Sequence, residues 1–483
     1  MESPNYRSIF LSCLGSIHLI AFWSYYTQFP GLLSASGIEP VERLMPDAAP
    51  FLYENLVQTE LLDSDTLCEL FAILGITISC LITSGKVQHA SLFIVLGSAY
   101  WVLVRCGGTF YSFQWDALLL EATAITALCY APWRHHLVKD QSPVGAWPLR
   151  VLLFKLMYMS GVVKIQADCP TWKNLTALEY HFATQCLPGP FAWHAHQMHP
   201  FLLRLSVALT LWIEIPASLL LIGFTDNQRR VGATLQACLQ LVILLTGNYT
   251  FFNLLTLALC LPCLERDRQS SKNQQFKTVA STVLAFVYLS LYFHRMFTFY
   301  FFDDTSWWRS LNVKLALTKA HCNQISEVMV PVVAVFLSTV VIFKAIHSFR
   351  SRKAILTPIH AFICLTTIGI VLVPMCDLTP RLRSGGFIGL KKIFRPLHDQ
   401  YARNYMISNG YGLFRQMTGV GEVPDIEGWA GLPPSVVARP EIVLEGVFHG
   451  GNSSEEVWHE LQFRWKPGDV RKMPLQVAPH QPR

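Results

Sequence analysis

The sequence predicts an α-helical polytopic membrane protein with about 9–11 membrane segments, one of them re-entrant, and a small β-rich C-terminal domain. Apolar residues make up 52% of the chain and charged residues only 14%, whereas soluble domains carry about 25% charged residues. The apolar residues fall in uninterrupted runs of up to 34 residues between short charged clusters. Beyond residue 375, ten prolines and thirteen glycines occur within 109 residues. We therefore assign residues 1–374 to a multispanning domain and residues 375–483 to a soluble domain.

Ten apolar runs are candidate membrane segments. The first is aromatic-rich and is followed by no convincing cleavage site, so we interpret it as a span, with a signal peptide ending near Ser34–Ser36 as the alternative. The net charge of +6 is distributed over the connections between runs and indicates no nucleic-acid partner. The runs cover residues 8–26, 67–84, 88–104, 117–131, 149–165, 201–224, 231–264, 278–296, 327–345 and 355–374.

The charge of the connections orients the chain. Residues 27–66 contain seven acidic residues and a single arginine, which is typical of a non-cytoplasmic loop. Alternation from this loop predicts that the N-terminus and every strongly basic connection are cytoplasmic. The same alternation predicts that the loops 27–66, 166–200 and 297–326 and the C-terminal domain are lumenal.

The run from Val231 to Leu264 contains no charged residue and has an awkward length. As a helix it would reach about 51 Å, against a bilayer core of about 30 Å, which is too long for one span and too short for two ordinary ones. The charge pattern requires a return to the same side, as a re-entrant element or a tight hairpin of short helices. We predict a polar turn in which Gly247 allows the reversal and Asn248 and Asn253 satisfy freed backbone groups.

In the C-terminal domain, the segments EIVLEGVF (441–448) and HELQFRW (459–465) alternate in polarity around a turn-rich linker. This pattern predicts a β-hairpin.

Four ionisable residues lie inside predicted spans, where an unpaired charge is costly. Matching by depth pairs Glu121 with Lys164 towards the lumen and Glu214 with Lys155 nearer the cytoplasm. The alternative is that the lysines snorkel to the interface and the carboxylates are protonated or solvated.

The loop 166–200 contains several candidate sites. Cys169 and Cys186 lie seventeen residues apart and are candidates for a disulfide. The sequons at Asn174 and Asn452 both fall on the predicted lumenal side, so both are predicted glycosylation sites. Four histidines have spacings that could converge on zinc, but no carboxylate or thiol partner is fixed, and we predict no metal site. These histidines are His181, His194, His196 and His199.

Long strings distributed along the chain resemble the lipase maturation factors, and within them the lipase maturation factor 2-like branch. The resemblance implies an endoplasmic reticulum membrane protein, not a lipase, that assists folding and assembly of secreted clients. Family members continue past the end of this sequence, which implies that the C-terminal domain is truncated. Family members have a second aromatic residue directly after the one that corresponds to Trp172. This chain has Lys173 at that position, beside the sequon at Asn174. The strings include FQWDALLLEA, RVLLFKLMYMSGVVKI, CPTWKNLTALEYHFATQCLPGPFAWHAH, LTGNYTFFNLLTLALC, RPEIVLEGVF and WHELQFRWKPGD.

Three functions are consistent with these features. The leading hypothesis, which the resemblance implies, is a chaperone-like maturation factor that assists dimeric lipases such as lipoprotein lipase through the secretory pathway, with membrane lipids, immature lipases and other folding factors as partners. It needs no cofactor and is not an enzyme, since no nucleophile elbow, phosphate-binding loop or zinc-protease motif occurs. The alternatives are a membrane-embedded enzyme related to the vitamin K-dependent carboxylase-like proteins, with Lys155 or Lys164 as base, or a transporter. Candidate client-contacting aromatics are Trp172, Phe191, Trp193, Trp429 and Trp458.

Overall fold

A computed structural model describes residues 5–133, 144–266, 274–301, 311–352, 356–384 and 388–412, apart from residues 112, 168 and 186, together with short stretches between 443 and 476. The described chain is mainly helical. The helices are α1 (Tyr6–Leu32), α2 (Val41–Ala48), α3 (Pro50–Leu52), α4 (Ser64–Thr83), α5 (Ala90–Cys106), α6 (Gln114–Ile125), α7 (Trp147–Gln166), α8 (Pro170–Lys173), α9 (Ala177–Thr184), α10 (Pro190–His196), α11 (Pro200–Glu214), α12 (Asp226–Thr246), α13 (Phe252–Leu264), α14 (Gln274–Met296), α15 (Lys319–Arg352), α16 (Leu356–Leu372), α17 (Pro380–Ser384) and α18 (Ile388–Leu397).

Six helices of the described chain are long and apolar enough to cross a membrane. They confirm a multi-pass helical membrane protein. The remaining predicted segments correspond to shorter or less apolar helices, namely α5, α6 with its π-helical extension to Tyr130, α7, α12 and α13. The six are Tyr6–Leu32, Ser64–Thr83, Pro200–Ile222, Val279–Met296, Lys319–His347 and Pro358–Asp377.

The helices pack closely where small residues face aromatic ones. A Cβ built on Gly75 of α4 would lie 2.3 Å from the ring of Phe22 in α1. Phe22 is itself fully buried and packs edge-on against Tyr100 of α5, with 5.3 Å between ring centroids. Glycine therefore sets the α1–α4 distance, in the way small residues do between membrane helices.

The awkward 231–264 run is a helical hairpin, which is one of the two forms that the sequence predicted. Its first helix, α12, starts five residues before the apolar run, because Thr225 and Gln228 form a reciprocal capping box. These extra residues give α12 a length of 21 residues, about 31 Å, which is enough to cross a bilayer core. The second helix, α13, has 13 residues and packs along α12.

Hydrogen bonds between connections define two ends of the helical body. At one end, Ala90 N donates to Pro132 O at 2.9 Å, and Arg150 Nε donates to Pro262 O at 2.9 Å. At the other end, Gln185 Nε2 donates to Thr246 O at 2.7 Å. We call these the 90/150 end and the 185/246 end. The grouping follows the alternation that the charges predicted, with the hairpin turn beside the loop 166–200.

Two small antiparallel hairpins complete the described structure. The strands β1 (Phe297–Phe301) and β2 (Leu311–Leu315) pair with Phe299 opposite Val313. The strands β3 (Glu445–Val447) and β4 (Trp458–Glu460) pair with Gly446 opposite His459, which confirms the predicted C-terminal hairpin over these residues. The first hairpin was not predicted, although its strand sequences FTFYF and LNVKL alternate in polarity.

Residues 404–412, which we call the strap, pack into the helical body. Trp101 Nε1 donates to Asn404 O at 3.2 Å, and Ser408 Oγ donates to Ile370 O at 3.0 Å. The Tyr411 side chain is fully buried among the helices. The division at residue 374 stays a prediction, but the chain as far as residue 412 packs against the spans.

Candidate functional site

The centre of the helical body contains a buried ion pair that the strap completes. Lys155 Nζ of α7 lies 2.5 Å from Glu121 Oε1 of α6, and neither side chain is exposed. The other carboxylate oxygen, Oε2, accepts hydrogen bonds from Tyr411 Oη at 2.5 Å and from Asn409 N at 3.2 Å. Lys155 Nζ also lies 5.1 Å from the centroid of the Tyr411 ring. Both oxygens of Glu121 thus have partners, as a buried carboxylate requires.

A second ion pair joins α7 to the end of α11. Lys164 Nζ lies 2.6 Å from both oxygens of Glu214 and 5.1 Å from the centroid of the Trp172 ring. Gly161 makes this approach possible, because a Cβ there would lie 2.6 Å from Ile215 Cγ1 and 2.9 Å from Glu214 Cβ.

The predicted pairing of Glu121 with Lys164 and of Glu214 with Lys155 is wrong, because the partners are exchanged. Glu121 and Lys155 both lie near the middle of their helices, which begin at Gln114 and Trp147.

Glu214 is the last residue of α11, yet it meets a lysine two residues before the end of α7. Helix α11 therefore begins well beyond the end of α7, where Arg204 forms an ion pair with Glu179 of α9 at 2.9 Å. The prediction took the depth of each residue from its position within an apolar run. Such a run does not show how far α11 is shifted along α7.

Both ion pairs are contacts between helices, one between α6 and α7 and the other between α7 and α11. The Glu121 and Lys155 side chains have no exposed surface, and each is engaged by an oppositely charged partner. This buried pair therefore links α6 to α7 inside the helical body.

The helices α8 to α10 cover the 185/246 end. His181 Nε2 of α9 forms a hydrogen bond with Tyr249 Oη of the hairpin turn at 2.8 Å. Burial, with a smaller contribution from the Lys164 charge, lowers the pKa of His181 to about 4. His199 Nδ1 accepts from Phe201 N at 3.3 Å and caps α11. Within the described residues, no three His, Cys, Asp or Glu side chains form a group that could hold a metal ion.

The polar turn differs in detail from the prediction. Gly247 has φ −133°, so it needs no left-handed backbone, and the left-handed residue is Thr250 at φ +52°. Glycine is required because a Cβ would lie 2.6 Å from the Tyr249 ring. Asn253 Nδ2 donates to Gln240 Oε1 at 2.8 Å, which joins the two helices side chain to side chain. Asn248 is buried in the turn.

The predicted modification sites are partly described. Asn174 is exposed directly after α8, as a glycosylation site requires. Cys169 is buried, with Sγ 3.2 Å from Thr171 Oγ1. Cys186 and Asn452 lie outside the described residues, so the Cys169–Cys186 disulfide and the second glycosylation site stay predictions. Trp429 also lies outside them.

The 90/150 end contains a cationic cluster that was not predicted from the sequence. The fully buried Trp147 ring has the guanidinium carbons of Arg150 and Arg229 at 5.0 and 5.6 Å from its centroid, and Lys344 Nζ at 5.8 Å. Arg150 also caps α13 through the carbonyl oxygens of Pro262 and Glu265. The only signal in the sequence was the concentration of basic residues in these connections.

Comparison with known proteins identifies the family. A family model described as the lipase maturation factor transmembrane domain matches residues 5–271, more than half of the chain. The chain belongs to the lipase maturation factor family. Lipase maturation factor 2 of Gallus gallus is 33% identical over 99% of this chain and 68% of its own length. Lipase maturation factor 2 of Homo sapiens is 31% identical over 99% of this chain and 70% of its own length.

Lipase maturation factor 1 of Mus musculus is more distant, at 25% identity over 54% of this chain and 47% of its own length. No solved structure matches the chain significantly. The match to the lipase maturation factor transmembrane domain includes both lysines and both glutamates of the ion pairs and ends before the strap. The strap therefore lies outside the residues that this family model matches.

Proposed function

We propose that this protein is a non-catalytic maturation factor of the endoplasmic reticulum membrane that assists the folding, assembly and secretory transport of lipases. The observation that carries the proposal is 31–33% identity, over 99% of the chain, to proteins named lipase maturation factor 2. Lipase maturation is the role that these names support. The membrane location, the client set of dimeric lipases such as lipoprotein lipase, and contacts with membrane lipids and other folding factors belong to the proposal.

The proposed orientation has the N-terminus and the 90/150 end in the cytoplasm and the 185/246 end in the lumen. Two features support it. Basic residues concentrate at the 90/150 end, as the positive-inside rule requires of a cytoplasmic face. The exposed sequon asparagine, Asn174, lies at the other end, where only a lumenal location would allow its glycosylation.

Exposed aromatic residues are the candidate contacts for immature clients. Phe191 in α10 and Trp458 in β4 are more than half exposed, whereas Trp172 is buried and contacts Lys164. Trp172 is therefore assigned to the packing of α8 on the helical body, and Phe191 and Trp458 are assigned to client binding. Large exposed aromatic side chains suit the capture of apolar surface on unfolded chains.

The test is deletion of the protein in a lipase-secreting cell, with secreted lipase activity measured against lipase mass. We expect specific activity to fall on deletion and to recover when the wild-type chain is restored. A double substitution of Phe191→Ala and Trp458→Ala should restore it only partly. The matched control is Trp133→Ala, because Trp133 is similarly exposed but lies at the 90/150 end. Normal specific activity after deletion would overturn the proposal.

A further inference from the structure

Four buried cysteines form two facing pairs at opposite ends of the helical body. Cys68 of α4 and Cys106 of α5 are both buried, and the two thiols lie close enough to interact with each other. Cys129, after α6, faces Cys364 of α16 in the same way. All four side chains are buried.

The register of the α4–α5 hairpin independently brings the first pair together. Cys68 lies fifteen residues before the end of α4 at Thr83, and Cys106 lies sixteen residues after the start of α5 at Ala90. In antiparallel helices these separations correspond to about 22 and 24 Å from the connection, so both thiols reach the same level. They lie at the far end from residues 84–89, just before the turn Gly108–Tyr111.

The second pair lies at the other end. The Cys129 carbonyl oxygen is 2.9 Å from His360 Nε2, and Cys129 Sγ donates to Thr367 Oγ1 at 3.4 Å. Residue 129 is close in sequence to Pro132, whose carbonyl accepts from Ala90 N at the 90/150 end. The two pairs are therefore chemically alike but near opposite faces of the membrane domain.

We propose that Cys68 and Cys106 are joined by a disulfide in the mature protein, whereas Cys129 and Cys364 remain thiols. The inference rests on the proposed orientation, in which only the first pair lies near the oxidising lumen. Each thiol loses its proton, and the two sulfurs give two electrons to the disulfide of a thiol–disulfide oxidoreductase, which leaves as a dithiol. Because both sulfurs are buried in the finished fold, the exchange occurs while the α4–α5 hairpin is still open.

Differential alkylation of the full-length protein tests this proposal. Cells are quenched in acid, free thiols are blocked with a light reagent under denaturing conditions, and the remaining cysteines are reduced and labelled with a heavy reagent before peptide mass spectrometry. We expect heavy label on Cys68 and Cys106 and light label on Cys129 and Cys364. Light label on all four would overturn the disulfide. Heavy label on only Cys129 and Cys364 would overturn the disulfide and the proposed orientation together.

A second measurement separates a disulfide from simple packing. If the bond exists, Cys68→Ala, Cys106→Ala and the double variant should all lower the melting temperature equally, because the first substitution already removes the bond. Cys129 and Cys364 are the control pair. The melting-temperature shifts of Cys129→Ala and Cys364→Ala should each differ from the shift of their double variant. Additive shifts for Cys68 and Cys106 would overturn the proposal.

Two independent assays, glycosylation of Asn174 and secreted lipase activity, distinguish failure of the disulfide from failure of the proposed orientation or of the client role. A glycan on Asn174 with unlinked Cys68 and Cys106 would overturn the disulfide and leave the orientation standing. A linked Cys68–Cys106 pair in cells whose lipase activity is independent of the protein would support the disulfide and overturn only the client role.

Discussion

Tyr411 donates a hydrogen bond to the Glu121 carboxylate across 290 positions of sequence, and the same carboxylate holds Lys155. Glu121 Oε1 pairs with Lys155 of α7, and Glu121 Oε2 accepts the hydrogen bonds from the strap. The central ion pair is therefore a three-way joint between α6, α7 and the segment after the last spans.

Removing the Tyr411 hydroxyl should destabilise the protein. Tyr411→Phe keeps the ring that packs near Lys155 and leaves Glu121 Oε2 with only the backbone donor of Asn409. Loss of a hydrogen bond to a charged group costs about 2 kcal/mol, so the melting temperature in detergent should fall. Tyr401→Phe is the matched control, because Tyr401 is half exposed, and it should leave the melting temperature unchanged. Equal shifts for the two variants would contradict this role.

Double-mutant cycles should recover the observed partners of the ion pairs. Removing one member of a buried pair, as in Glu121→Gln, leaves an uncompensated charge and costs about 3–5 kcal/mol. We expect strong coupling of Glu121 with Lys155 and of Glu214 with Lys164. The cross combinations, Glu121 with Lys164 and Glu214 with Lys155, should be additive within about 0.5 kcal/mol. Stability in detergent measures each cycle, and strong cross coupling would refute the observed pairing.

Enlarging Gly161 should weaken the second ion pair. The added methyl of Gly161→Ala would press on Ile215 and Glu214 and move the carboxylate away from Lys164. Overpacking of this kind costs about 1–3 kcal/mol. Gly31→Ala is the control, since a Cβ there meets nothing within 4 Å. Thermal unfolding of both variants in the same detergent makes the comparison, and a Gly161 variant as stable as the control would count against the close approach.

Acidification should weaken the packing of α8 to α10 on the 185/246 end through His181. Its pKa falls from 6.5 to about 4 on folding because the imidazole is buried beside the Lys164 charge. Between these values the unfolded chain binds more protons than the folded one, so the stability contribution is complete above pH 6.5 and declines as the pH falls towards 4.

The His181→Gln variant should therefore show a shallower loss of melting temperature over that pH range. The exposed His194→Gln should keep the wild-type slope. Unfolding curves collected from pH 4 to 7.5 compare the three proteins, and identical slopes would exclude His181 as the titrating group.

Much of the membrane domain could be predicted because apolar runs and flanking charges are local signals. The same runs gave no information about where a helix begins relative to its neighbour, so the offset of α11 exchanged the partners of Glu121 and Glu214. Tyr411 could not be found from sequence, because a tyrosine after the last span carries no mark of burial. Gly247 does lie in the turn, but the predicted reason was wrong. Glycine is needed there because of the nearby Tyr249 ring, and backbone propensities do not show such a contact.

The distance in sequence between Glu121 and the strap also sets an order of events during synthesis. At about 5–20 residues per second, the ribosome needs roughly 15–60 seconds to proceed from residue 121 to residue 411. Until residue 411 has been synthesised, Glu121 Oε2 lacks the hydrogen-bond donor of Tyr411, and until residue 409 it lacks that of Asn409 as well. A buried carboxylate oxygen without a partner is costly, so water or the insertion machinery must hydrogen-bond to it until the strap has been made. The central ion pair of this membrane protein is thus completed only late in its own biogenesis.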